Sequence, residues 1–200
     1  MKKLIIITIL ITLFTGAGCS LFSSSAPAKH YYQIYYTPSK TLGKKISGTV
    51  RIKTFETDKI YRIHNIVKRK SQNEIQYYTS RFWASRPTDM ITDQIAKHVT
   101  ETELFSDVIM QLDRRPDFVL TGRILALDLV DSNEKWFARV SIVFELRDYK
   151  SDRTVITHSF DERREVSSME VVHAVRTMGE IIEKEAEVFF NKIYEAMNID

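Results

Sequence analysis

The chain has 200 residues, 44% of them hydrophobic and 28% charged, with a single cysteine and a formal net charge of +3. That is enough apolar residue for one domain with a real core, and one cysteine excludes an internal disulfide framework. The charge is uneven: residues 1–80 hold 13 Lys/Arg against 3 Asp/Glu, and residues 81–200 hold 16 against 23.

Lys2 and Lys3 precede an apolar run over residues 4–14, and Gly16, Ala17 and Gly18 lead to Cys19. This is a charged start, an apolar core of secretory length and a small-residue cleavage site. A run of eleven residues falls short of the roughly 18 that cross a bilayer. The expected units are a signal peptide at 1–18, a Ser-rich flexible tether at 19–29 and a domain at 30–200. An exported protein rarely meets nucleic acid, so no nucleic-acid partner is expected. The basic half then reads as a solvated face, or one for anionic headgroups or an acidic partner.

Residues 31–36 are aromatic-rich and predict a first strand. Residues 47–55 predict a second, with Val50 and Ile52 on one face and Arg51 and Lys53 on the other. Residues 60–67 and 74–83 predict two more, joined by a polar turn at 68–73. Pro87 opens a helix whose Ile91, Ile95 and Val99 form one stripe. A short strand is expected at 107–110 and a long one at 118–131. Residues 136–149 alternate strictly, with Trp136, Ala138, Val140, Ile142, Phe144 and Leu146 on one face. Another strand follows at 154–166. A last helix runs over residues 167–197, with Ser167 or Ser168 as its cap. Its stripe is Val171, Val175, Met178, Ile182, Ala186, Phe189, Ile193 and Met197. The fold class is α+β: a largely antiparallel sheet with two main helices packed on one face.

Catalytic patterns are sparse. The five histidines lack metal-ligand spacing and read as surface or boundary residues, so no metal or cofactor is expected. Ser132-Asn133-Glu134-Lys135 fits SxxK, but the chain has no SDN or KTG partner and the match falls in an expected hairpin turn. Glu180, Glu183, Glu185 and Glu187 read as a solvated helix face. The aromatics Tyr77, Tyr78, Phe82 and Trp83 read as hinge packing or as a surface for a partner or an acyl chain.

The segment ending at Cys19 resembles the signal of bacterial lipoproteins, whose cysteine becomes the first residue and carries the lipid; Gly16 stands where that class usually has Leu. Further along, Tyr31-Tyr32-Gln33-Ile34, the strand at 50–55, Tyr78, Phe82-Trp83-Ala84, Pro87 with its helix, Phe105 and Val108 follow the order of one family. The chain resembles the ABC-type transport auxiliary lipoproteins, the PqiC-like proteins associated with MCE-domain lipid transport. Thr102-Glu103-Leu104 departs from that pattern, because a small residue and glycine often precede the Phe there.

The resemblance implies a non-enzymatic subunit, anchored by lipid on Cys19 to the outer membrane and facing the periplasm. Its partners would be an MCE-domain protein and inner-membrane transport components, with phospholipid as a further contact. It also implies a homo-oligomer and a contribution to outer-membrane integrity. Tyr78, Phe82 and Trp83 are the candidate partner or lipid surface. The alternative is a lipoprotein regulator that activates a cell-wall synthase; an exported hydrolase is a third reading.

Overall fold

The alternating residues between 118 and 165 become a three-stranded antiparallel meander that organises everything else. The computed structural model describes residues 27–38 and 45–197. The signal segment, Cys19 and most of the tether lie outside the described residues.

The elements in chain order are β1 (His30–Tyr32), β2 (Ile46–Ile52), β3 (Glu56–Thr57), a 3-10 turn (Lys59–Tyr61), β4 (Asn65–Arg69) and β5 (Ile75–Trp83). They continue with α1 (Pro87–Glu101), β6 (Phe105–Ile109), β7 (Phe118–Asp131), β8 (Trp136–Asp148), β9 (Thr154–Glu165) and α2 (Val171–Met197). Strand β7 is the spine. One of its edges pairs antiparallel with β8 along its whole length, and β8 pairs antiparallel with β9. The other edge takes three short strands end to end, all parallel to it: β2 at Phe118–Leu120, β3 at Arg123–Ile124 and β4 at Asp128–Val130. Beyond these, β6 pairs parallel with β2, β5 pairs antiparallel with β4, and β1 pairs parallel with β5.

The fold is therefore α+β as expected, and the sheet is mixed: its longest pairings are antiparallel, its short ones mostly parallel. Side-chain periodicity sets which face a residue takes but carries no strand direction, so the parallel pairings had no signature.

The core lies between the sheet and the two helices. Ala138, Val140, Ile142, Phe144 and Leu146 of β8 are all 0% exposed. Phe189 of α2 stacks on Phe144, with ring centroids 5.3 Å apart, and Phe190 of α2 meets His98 of α1 edge-on at 4.8 Å. Both helical stripes point inward as the 3.6-residue period requires.

Four local expectations change. The strand expected at 60–67 is the 3-10 turn followed by β4, because Tyr61 turns inward to hydrogen-bond a buried carboxylate. The first strand stops at Tyr32, since Ile34 and Tyr36 leave the sheet to sit under α1. There the Ile34 N–H donates to Met90 Sδ (3.2 Å) and Gln94 Nε2 donates to the Tyr36 carbonyl (2.8 Å). Neither serine caps α2: its first turn closes on the Glu170 carbonyl, Ser168 Oγ is buried without a partner, and Ser167 Oγ lies 3.0 Å from His173 Nδ1. His98 and His158 are buried rather than peripheral, because both lie where α1 or α2 packs inward.

Candidate functional site

Strand β5 carries the aromatic candidates, and neighbouring residues on a strand face opposite ways. Trp83 points inward and is 1% exposed. It is held by its backbone, whose N–H donates to the His64 carbonyl at 2.6 Å. It cannot itself meet a partner; it supports the strand from beneath. Phe82 and Tyr78 stay half-buried at the surface.

The register between β4 and β5 slips between Asn65 and Val67, and Asn65 Nδ2 fills the gap by donating to the Tyr78 carbonyl (2.8 Å). Tyr78 then lies among cations. Arg81 stands 5.8 Å from its ring centre and donates to the Tyr32 hydroxyl (2.8 Å). Lys68 Nζ is 5.9 Å from the Tyr78 ring and 5.1 Å from that of Trp136. Burial raises the Tyr78 phenol above its ordinary pKa, so it stays a neutral donor. Asp131 closes the group, ion-paired with Lys68 (2.6 Å) and Lys70. Those two ammonium groups hold its carboxyl well below the usual carboxylate range.

Where β1 meets β5 lies a second aromatic group. Tyr31 of β1 is in register with Phe82, and their rings lie 5.7 Å apart. Lys29 Nζ sits 5.9 Å from the Phe82 ring. The three sequence candidates are therefore not one surface: Tyr78 lies with Lys68 and Arg81, Phe82 with Tyr31 and Lys29, and Trp83 is buried.

A cleft of about 560 Å³ adjoins the Asp131 group, lined by Arg69, Lys70, Asp131, Arg139 and Arg163 among others. Its cations are largely neutralised from below. Asp128, fully buried, accepts from Tyr61 Oη (2.8 Å) and Arg69 Nε (2.6 Å). Arg139 makes a two-pronged pair with Asp161 (2.9 and 2.7 Å). Burial, followed by the Asp128 charge, pushes the Tyr61 phenol up to about 12. Arg163 stacks over Phe137 at 4.0 Å. This network locks the 3-10 turn onto β7; it offers charge and shape, with no nucleophile beside a base. The sequence held one signal for it: Asp128 and Asp131 interrupt an apolar strand, where Asp is depleted.

The other candidates for chemistry resolve as structure. Ser132 Oγ donates to the Lys135 carbonyl (2.8 Å), and Lys135 Nζ pairs with Glu165 (2.9 Å), so the SxxK match is a hairpin turn. Glu185 is buried, not solvated, and bonds His158 Nε2 at 2.8 Å, while Lys192 Nζ lies 3.0 Å from His158 Nδ1. Among the described residues no cluster of three or more His, Cys, Asp or Glu could hold a metal ion, and no helix is long and apolar enough to cross a membrane.

Residues 37–187 match the family model described as the ABC-type transport auxiliary lipoprotein component. No curated protein sequence matches the chain. Among solved structures, the chain is similar to protein XCC0632 from Xanthomonas campestris, assigned to DUF330. The two share 16% identity over 82% of this chain and 92% of that one, with a TM-score of 0.67. It is similar to an uncharacterized protein at 11% identity, over 84% of this chain and 99% of that one, with a TM-score of 0.69. A hypothetical protein from Chlamydia trachomatis, CT253, shares 7% identity over 78% of this chain and all of that one, with a TM-score of 0.51. At these identities the structures bear on the fold alone.

Proposed function

The chain belongs to the ABC-type transport auxiliary lipoprotein family, and from that membership we propose that it is a non-catalytic subunit of an intermembrane lipid transport system. In this reading lipid on Cys19 anchors it to the outer membrane, facing the periplasm, and it needs no other cofactor. It acts as a homo-oligomer with an MCE-domain protein and inner-membrane transport components, and so contributes to outer-membrane integrity. The family match over residues 37–187 carries the reading. The surface chemistry agrees with it: aromatic rings among cations suit adhesion to a protein or a headgroup layer, not bond-breaking.

The working surface of this reading begins at β5. Tyr78, flanked by Lys68 and Arg81, is the candidate partner contact, with Trp83 as its support. Tyr78→Ala removes a half-buried ring that packs against the edge of the core, so its folding is checked first by circular dichroism. A central interface aromatic contributes about 2 kcal/mol or more, so capture of the partner should fall at least about 30-fold.

The test is purification of the full-length protein from native membranes with mass spectrometry of what accompanies it. An ATPase, a permease and an MCE-domain protein are expected. A cell-wall synthase in their place would establish the regulator reading instead. Cys19→Ala should abolish acylation and release the protein from membranes; a variant that still floats with membranes refutes the anchor.

A further inference from the structure

We propose that the β1–β5 edge carrying Lys29, Tyr31 and Phe82 rests on the anionic lipid surface of the membrane that holds the anchor. This rests on the anchored reading of Cys19 and names a contact that reading leaves open.

Distance comes first. Lys29 is ten residues from Cys19. A fully extended chain of that length reaches about 35 Å, and a flexible one averages roughly 17 Å between its ends. The start of β1 is thus held within about 35 Å of the lipid.

The chemistry at that point is the second argument. Tyr31 is 65% exposed, and its ring packs on Phe82 rather than on the core. Tyrosine suits the headgroup level, where an apolar ring and a wet hydroxyl are both accommodated. Lys29 pairs with no carboxylate among the described residues and stands over the Phe82 ring, so its ammonium is available to a lipid phosphate. The ammonium of Lys29 favours an anionic surface over a neutral one.

Geometry disfavours a protein here. Strand β1 has three residues, too few to template a strand from another chain.

The experiment uses the full-length acylated protein in vesicles of phosphatidylcholine alone or with 30% phosphatidylglycerol, read by hydrogen exchange. Amides of residues 29–32 and 81–83 should exchange at least about fivefold more slowly on the anionic vesicles. Lys29→Glu and Tyr31→Ser should each remove that slowing. Tyr149→Ser, which changes an exposed tyrosine just past the end of β8, should keep it. A fivefold change corresponds to the ~1 kcal/mol that one lysine contributes beside an anionic membrane. Equal exchange on both vesicles overturns the proposal. So does slowing that appears in detergent and rises with protein concentration, which would make the edge a contact between two copies. Intact mass reads the anchor separately: a chain without acyl mass sinks the anchor reading and this proposal with it, whereas an acylated chain with unslowed exchange sinks only the proposal.

Discussion

Gly122, in the middle of β7, is a glycine for reasons of space. A Cβ built there would lie 2.4 Å from Cδ2 and Cε2 of Phe55 and 2.6 Å from Cζ, where ordinary contact begins near 3.4 Å. Gly122→Ala therefore asks the Phe55 ring to retreat by about 1 Å. The ring has nowhere to go. It is 3% exposed and meets Phe144 edge-on at 5.9 Å, and its backbone N–H is fixed to Thr92 Oγ1 of α1 at 2.9 Å. Overpacking of this kind costs roughly 1–3 kcal/mol. Alanine offsets about 0.4–1 kcal/mol of that by restricting the unfolded chain. We expect a net loss of about 1–2 kcal/mol, or a fall in Tm of about 3–6 °C for a domain of this size. A urea melt of the full-length protein followed by circular dichroism measures it. Phe55→Leu shortens the clashing side chain, so the double variant should be more stable than the sum of the single losses by about 1 kcal/mol. A Gly122→Ala protein as stable as the parent, or strictly additive losses, would refute the packing argument.

Phe189→Ala empties a fully buried site stacked on Phe144 and should cost about 3–5 kcal/mol in the same melt; a loss under about 1 kcal/mol, with assembly lost instead, would make the stripe an interface. Glu103, the residue after the α1 cap, has φ 52°, the left-handed region that glycine fills without strain. Glu103→Gly should therefore raise stability by roughly 0.5 kcal/mol, after the looser unfolded chain and the exposed Lys45 ion pair are subtracted; a lower Tm would count against it. Burial holds the His98 pKa down to about 4, so the unfolded chain binds more protons between about pH 6.5 and 4. Stability is full above that window and is lost as pH falls through it, by on the order of 2 kcal/mol from pH 7 to 5. Calorimetry should show His98→Leu with a flatter slope there, and an unchanged slope would assign the pH dependence elsewhere.

Much of the frame was legible because burial writes itself as period. The strict alternation of 136–149 gave β8, and the four-residue steps of Ile91, Ile95 and Val99 gave α1. What periodicity could not carry is partnership. Tyr61 looks like a strand residue, yet its hydroxyl belongs to Asp128, 67 positions away. Tyr31 and Tyr32 look alike in sequence, yet one lies against Phe82 and the other takes a hydrogen bond from Arg81. Glu103 shows the converse: nothing in its neighbours' periodicity marks it, yet it takes left-handed backbone just past the α1 cap.

The spine strand also dictates an order of events during synthesis. Residues 46–69 emerge first, but β2, β3 and β4 cannot join the spine until residues 118–131 exist. Before then the amino-terminal half can form only its own pairings, β4 with β5, β1 with β5 and β2 with β6, while β7, β8 and β9 zip together through short hairpins as they appear. Sequence-distant parallel pairing is slow to form and leaves strand edges uncovered meanwhile. A chain interrupted before residue 118 would present Val50, Ile52, Ile66 and Val67 without the β7–β9 meander or α2 to complete the core around them, which makes this interval the point at which a chaperone would matter most.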